Sequence, residues 1–101
     1  MLVVALACAA VTQNRASAME PPAAVTGCIT CHGEKGMSQL PNAPHIAGQP
    51  VFYLVDQLKA YRSGKRQNQV MAVITKPLSD EQIQEAAAWY ASHEIQLKAT
   101  D

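Results

Sequence analysis

At residues 28–32 the chain reads Cys28-Ile29-Thr30-Cys31-His32. This C-x-x-C-H spacing is the signature of covalent attachment of a c-type haem. Two cysteines three residues apart on one helical turn can both reach the vinyl groups on one edge of the porphyrin and form thioethers. The histidine that follows is then held beneath the iron as an axial ligand. The pentapeptide therefore predicts one covalently bound haem c, with Cys28 and Cys31 as attachment residues and His32 as an iron ligand.

Other uses of a closely spaced cysteine pair have less support in the sequence. A zinc ribbon needs a second pair of ligands at metal-binding spacing, and after the motif only His45 and His93 remain, singly. A thioredoxin-like redox pair belongs in a βαβ context, which the sequence pattern lacks. A chance occurrence of the pentapeptide in a short exported chain is the third alternative.

The composition is that of one small domain with a thin supply of core side chains. The chain has 101 residues, with 8 Lys plus Arg and 8 Asp plus Glu, so its formal net charge is zero. This balance gives no electrostatic basis for binding nucleic acid and no basic tail for anionic membranes. Aromatic residues make up only 5%, and domains this small often need a disulfide, a metal or a cofactor for stability. A covalently bound haem would supply that missing core.

The first residues of the sequence carry the features of an export signal. Residues 1–11 are wholly apolar, but a bilayer span needs roughly 20 apolar residues. Ala16-Ser17-Ala18 then supplies the small-x-small pattern of a cleavage site. We therefore expect residues 1–18 to be a cleaved signal peptide, residues 19–101 to form the mature domain, and the periplasm to be its location. Since no Lys or Arg precedes the apolar run, a retained N-terminal anchor is the alternative.

A haem iron with one histidine ligand has a second axial position to fill, and methionine is the usual choice for electron transfer. Beyond residue 18 the sequence offers Met19, Met37 and Met71. Met19 begins the mature chain, and Met37 follows His32 by only five residues, so the chain would have to double back sharply. Met71 lies 39 residues after His32, beyond a complete predicted helix. Met71 is therefore the candidate for the sixth ligand, and an ordinary core methionine is the alternative.

Around the pentapeptide the pattern predicts short helices and long loops. We expect a short helical stretch over 23–31 and then a loop of about 17 residues rich in Gly and Pro, a length that usually serves a function. A second helix is expected from Pro50, which suits a first turn, to Gly64, which suits a C-terminal stop. Residues 70–75 have strand-like propensity but no partner strand, so we interpret them as irregular or as a helical turn.

The last helix is the clearest element of the sequence. Ser79 and Gln82 form a capping box at its start, and its end is expected between Ser92 and Leu97. Its apolar face is formed by Ile83, Ala86, Ala87 and Tyr90. The sequence thus predicts an all-α fold with three to five short helices and long loops wrapped around one haem.

Taken together, these features resemble those of the class I c-type cytochromes. The resemblance is strongest to the small bacterial monohaem cytochromes c-553 and to the single domains of related dihaem cytochromes. The resemblance extends over nearly all of residues 27–91. The matching stretches are Cys28 to Gly33, Pro44 to Gln49, Tyr53-Leu54, Gln57-Leu58, Tyr61 to Gly64, Arg66, Met71 and Leu78 to Ile83. The resemblance implies the class I cytochrome c fold.

The resemblance also implies roles for single residues around the haem. The axial methionine of the family lies seven residues before the Leu of a Leu-Ser-Asp motif, and Met71 lies seven before Leu78. The carbonyl of Pro44 is implied to accept the second ring N–H of His32, which would fix the imidazole orientation.

Three further residues are implied to contact the haem. Arg66 resembles a partner for a haem propionate, while Tyr53 and Gly48 resemble residues that line the haem crevice. Of the remaining histidines, we expect His45 at the surface or in the crevice and His93 facing solvent on the last helix.

By resemblance, the function is that of a periplasmic electron carrier, with iron cycling between Fe(III) and Fe(II) under His/Met ligation. This implies no enzymatic activity, transient redox protein partners, no small-molecule substrate, and membrane contact only through partner complexes. One alternative is a haem subunit of a larger oxidoreductase, and another is a ligand-binding or peroxidase-like haem protein with a labile sixth ligand. A basic run could steer an acidic partner, but a solvated helix face with one propionate contact is the preferred interpretation; the run is Lys59, Arg62, Lys65 and Arg66.

Overall fold

The computed structural model describes residues 2–5, 7 and 20–95, and within them every regular element is a helix. A short 3₁₀ helix spans Ala23–Val25, and four α-helices follow: α1 (Ile29–His32), α2 (Val51–Ser63), α3 (Gln69–Thr75) and α4 (Asp80–Ala91). The predicted all-α class with short helices and long loops is confirmed. None of the described helices has the length and apolar character that a membrane crossing requires. The expected cleavage site at 16–18 lies outside the described residues.

The helix expected over 23–31 is broken in two. After the 3₁₀ helix, the Thr26 hydroxyl donates to the Ala23 carbonyl at 2.8 Å, a local bond that competes with helix propagation. The break turns Val25 fully into the core, where the 3₁₀ helix packs against α4. The next turn then places Cys28, which is buried, at the start of α1.

Helix α2 begins and ends close to where the sequence predicts. Pro50 precedes it as the N-cap rather than lying in its first turn, and Gly64 follows it with φ +85°. That left-handed conformation is easy for glycine and stops the helix. Leu54 and Val55 are the buried residues of α2, which packs against both α3 and α4.

Of the two interpretations of residues 70–75, the helical one is correct in kind, because the segment belongs to a regular helix, α3. Its β-branched residues favour strands intrinsically, but propensity is a weak prior that local bonds and packing override. Here Asn68 caps the first turn by accepting from the Met71 N–H at 2.9 Å. At the other end the buried Thr75 hydroxyl donates to the Met71 carbonyl at 2.7 Å.

Helix α4 has the predicted start and the predicted buried face. The Ser79 hydroxyl accepts from the Gln82 N–H at 3.1 Å and the Gln82 side chain accepts from the Ser79 N–H at 2.9 Å, so both bonds of the capping box are present. Its buried residues are Ile83, Ala86, Ala87 and Tyr90. The helix ends at Ala91, before the expected range.

An ion pair joins α2 to the start of α4. Arg62 Nη2 donates to Asp80 Oδ1 at 2.6 Å, and this hydrogen bond, with the charge of nearby Lys59, lowers the pKa of the Asp80 carboxyl below its ordinary value of 3.8. A lowered folded-state pKa stabilises the fold above the ordinary pKa, and the contribution is lost as pH falls through the lowered value. Asp80→Asn should therefore reduce the free energy of unfolding at neutral pH and weaken its acid dependence.

Denaturant unfolding of the holoprotein at neutral pH and in acid checks this expectation. Glu81→Gln is the matched control, because it removes a carboxylate from the same first turn of α4 without removing the bond to Arg62. Equal acid dependence in the wild type and Asp80→Asn would contradict the assignment.

Candidate functional site

A cavity of about 480 Å³ opens between the motif, the loop that follows it, and helices α2, α3 and α4. Its volume lies within the range of about 300–1,000 Å³ that is usual for ligand and cofactor sites. Its lining residues include Cys28, Cys31, His32 and Met71. Two thiols, an imidazole and a thioether in one cavity form the donor set that a covalently attached haem with two axial ligands requires.

The single turn of α1 brings the two cysteines and the histidine to this cavity. Cys28 is the N-cap of α1 and His32 is its last residue, and both are buried. Burial raises the pKa of the Cys28 thiol to about 11, because the thiolate is poorly solvated there. Cys28 is therefore a neutral thiol at neutral pH in the protein chain itself.

The orientation of His32 is fixed by a backbone carbonyl in the loop. His32 Nδ1 lies 2.9 Å from the carbonyl oxygen of Pro44. A carbonyl oxygen only accepts, so Nδ1 carries the proton and Nε2 keeps its lone pair free for a metal. This is the hydrogen bond that the resemblance implied.

Two aromatic residues of α4 hold the loop that leaves the motif. The Tyr90 hydroxyl donates to the Gly33 carbonyl at 3.1 Å, and Trp89 Nε1 donates to the Glu34 carbonyl at 2.6 Å. Burial raises the pKa of the Tyr90 phenol, so it remains a donor at any moderate pH. Gly33 has φ +79°, and a Cβ there would overlap the carbonyl of Met37. The loop can therefore turn only at a glycine.

The role of the Tyr90 hydroxyl was missed by sequence reasoning, which placed Tyr90 only on an apolar face. The available signal was a tyrosine, rather than a phenylalanine, at a core position, since a buried hydroxyl needs a partner.

Gly48 is also placed differently from the expectation. It does not line the cavity; its N–H donates to the Tyr90 carbonyl at 3.0 Å, which ties the loop to α4.

Tyr53 and Arg66 both line the cavity. Arg66 Nη1 donates to Gln57 Oε1 at 2.6 Å, and its guanidinium lies 4.7 Å from the centroid of the Tyr61 ring. Both contacts hold the positive charge at the edge of the cavity. A guanidinium in that place can pair with a carboxylate of a bound group.

The two other histidines have different environments. His45 lies at the cavity edge, exposed, and its Nδ1 accepts from the Ser38 N–H at 2.7 Å, as expected for a surface or crevice residue. The expectation that His93 faces solvent on the last helix is wrong. Because α4 ends at Ala91, His93 turns back and packs edge-on against Trp89, with ring centroids 4.5 Å apart and a buried Nε2.

Two arginines, one at the end of α2 and one just after it, form hydrogen bonds within the chain. Arg62 donates to the Leu78 carbonyl at 2.9 Å as well as to Asp80, and Arg66 is bonded to Gln57. These bonds favour the interpretation of a solvated helix face over a surface dedicated to an acidic partner.

Comparison with known proteins agrees with this geometry. A profile of the family described as Cytochrome c matches residues 22–94, which include the motif, the loop and all four α-helices. The chain belongs to the cytochrome c family. Haem c is accordingly its cofactor, bound covalently through Cys28 and Cys31, and the chain is an electron-transfer protein.

Individual relatives within the cytochrome c family differ in size. The chain is 41% identical to cytochrome c-554(548) of Halomonas halodenitrificans over 70 residues, covering 66% of this chain and 84% of that protein. It is 45% identical over 76 residues to the thiosulfate dehydrogenase electron acceptor of Thiomonas intermedia, covering 73% of this chain but 34% of that protein. The chain therefore spans most of the first relative and about a third of the second.

A solved cytochrome c4 structure from Acidithiobacillus ferrooxidans has a similar fold. It aligns with a TM-score of 0.61 at 32% sequence identity, covering 75% of this chain and 41% of that one. The predicted class I cytochrome fold is confirmed by this likeness.

Proposed function

We propose that this chain carries electrons in the periplasm between redox proteins, through one haem c that has His32 and Met71 as its iron ligands. The observation that carries the proposal is that both residues line the same cavity as the two attachment cysteines. Residues 1–18 serve as the signal peptide that exports the chain, and residues 19–101 form the mature cytochrome domain.

A comparison with Met37, the other methionine in the described part of the chain, supports Met71 as the ligand. Met37 does not line the cavity, whereas Met71 does, from the first turn of α3. A thioether ligand opposite a histidine raises the reduction potential relative to harder ligands. A His/Met pair is therefore suited to a carrier that accepts electrons readily.

The residues of the chain prepare the site for electron transfer without substrate chemistry. When bound, the haem supplies an iron that takes up and releases one electron. Pro44 fixes the imidazole of His32 through the 2.9 Å hydrogen bond, so the histidine need not reorient. Arg66 would pair with a haem propionate, and Tyr53 would line the crevice beside the bound group. Two ligands held in both oxidation states keep the reorganisation small.

Cys28 and Cys31 would hold the cofactor against α1, so the surface of this turn is the expected place for electron exchange. Cys28 is buried, but Ile29 is only half-buried and Thr30 is exposed on the outer side of α1. A partner that contacts this turn would lie next to the two attachment cysteines. Such redox encounters are small and short-lived, so we propose transient partners and no enzymatic activity of the chain itself. The name of the Thiomonas intermedia relative makes a dehydrogenase one reasonable class of electron donor.

A second candidate function is that of a haem subunit docked on a larger oxidoreductase. The observation that favours it is the exposure of two large apolar side chains outside the cavity, since Phe52 is 74% and Val73 is 69% exposed. Exposed apolar surface can mark an interaction site. Purification of the native protein by size distinguishes the two, because a subunit elutes with its complex and a carrier elutes alone.

The test of the proposed function is an absorption spectrum of protein matured in a periplasm, oxidised and then reduced with dithionite. We expect sharp c-type bands on reduction and, in the oxidised protein, the weak charge-transfer band of methionine bound to ferric iron. Added carbon monoxide should bind the reduced protein poorly. Haem bands without the charge-transfer band, with ready binding of carbon monoxide, would favour a ligand-binding or peroxidase-like protein instead.

A further inference from the structure

The peptide groups on both sides of Met71 are held by polar side chains. Asn68 Oδ1 accepts from the Met71 N–H at 2.9 Å, and the Thr75 hydroxyl donates to the Met71 carbonyl at 2.7 Å. Asn68 is the N-cap of α3 and has the extended backbone usual at that position. The cap therefore provides the hydrogen-bond acceptor for the Met71 N–H. The residue proposed as the iron ligand thus lies in the capped first turn of α3.

Helix α3 buries few of its own residues, although it packs against α2. It has seven residues, and Thr75 is its one buried residue, whereas α2 buries two residues and α4 buries four. Val73 is 69% exposed, and Val70, which lines the cavity, is 63% exposed. Helices this short do not persist alone in water, and segments with few buried contacts open at the lowest free energy. The cap is thus a large part of what keeps this turn closed.

We propose that Asn68 is a positioning residue that keeps the Met71 thioether in the haem cavity and so controls how readily the sixth ligand detaches. The inference rests on the proposed function, because it takes Met71 as the ligand. Asn68 does not itself bind the iron. Without its side-chain acceptor the Met71 N–H turns to water, the first turn of α3 frays, and Met71 spends more time outside the cavity.

The size of the effect follows from the usual contribution of a helix cap. Replacing an asparagine cap by alanine should raise the detached fraction about fivefold, within a range of roughly two- to thirtyfold. A competing ligand binds only when Met71 has detached, so its apparent affinity rises by the same factor.

The experiment is a titration of the oxidised holoprotein with imidazole, followed by the loss of the methionine–iron charge-transfer band. Asn68→Ala should bind imidazole about fivefold more tightly than the wild type. Asn68→Ser keeps an oxygen acceptor and should restore most of the wild-type affinity. Ser79→Ala is the matched control, because it removes the cap bond to the Gln82 N–H of α4. It should lower stability while leaving imidazole binding unchanged.

The possible results separate the two proposals. A charge-transfer band in the wild type, with equal imidazole affinity in the wild type and Asn68→Ala, would overturn the role of Asn68 alone. An equal rise in Asn68→Ala and Ser79→Ala would also overturn it, because the cap would then act only through overall stability. Absence of the band in the wild type would overturn Met71 as the ligand, and this inference with it.

Discussion

Replacing Met71 by alanine should lower the reduction potential of the holoprotein by on the order of 0.1 V or more. Axial ligands and their surroundings set haem potentials over a range of about 0.8 V, and the thioether favours the reduced iron. Alanine cannot ligate, so the site would accept water or an added ligand and the charge-transfer band would vanish. Redox titration, together with carbon monoxide binding to the reduced protein, measures both consequences.

Met37→Ala is the control for this prediction. Met37 is half-buried like Met71, but it lies in the loop after the motif and does not line the cavity. Its replacement removes a thioether of the same size and should leave the potential and the charge-transfer band unchanged. An unchanged potential in Met71→Ala, or a large shift in Met37→Ala, would show that Met71 is not the ligand.

Much of the site could be predicted because its chemistry is local in the sequence. The attachment cysteines and His32 lie within one helical turn. The two residues of the capping box at the start of α4, Ser79 and Gln82, are three residues apart. Signals of this kind need no knowledge of the tertiary fold. Met71 required one further step, because its place 39 residues from His32 depends on a helix that carries the chain around.

What could not be predicted depends on contacts between distant residues. Tyr90 and Gly33 are 57 residues apart in sequence, and Trp89 and Glu34 are 55 apart, yet these pairs hold the loop after the motif. No periodicity or spacing encodes such bonds. The misplaced end of α4 had a further consequence, since a helix that continued would have left His93 in solvent.

The full extent of α3 was missed for a different physical reason. Its sequence, rich in valine, isoleucine and threonine, has the composition of a strand but no partner strand, so composition left an irregular segment or a helical turn open. The cap supplied by Asn68 and the packing of α3 on α2 decide the outcome instead. The secondary structure of a short segment such as α3 thus depends more on its capping residue and its packing than on its average propensity.

Replacing His32 by alanine should prevent the accumulation of stable holoprotein, with a haem yield reduced by at least about tenfold. Loss of a residue that merely supports a metal ligand already costs about 10- to 100-fold in affinity or activity, and His32 is the proposed ligand itself. The mutation also leaves the Pro44 carbonyl without its 2.9 Å donor beside the cavity. Haem content per chain after periplasmic maturation, compared with the total amount of polypeptide, is the measurement.

His45→Ala separates loss of the ligand from loss of any imidazole at the cavity. His45 also lines the cavity, but it is exposed and its Nδ1 is engaged with the Ser38 N–H. Its replacement should leave the haem yield near that of the wild type.

The core explains why the His32 variant should not persist as a folded chain without cofactor, because small residues such as Ala24, Ala86 and Ala87 make up much of it. Side chains of this size bury little apolar area, so the cofactor itself must supply much of the buried surface. Normal haem content and normal stability in His32→Ala would therefore refute the ligand assignment together with this account of the core.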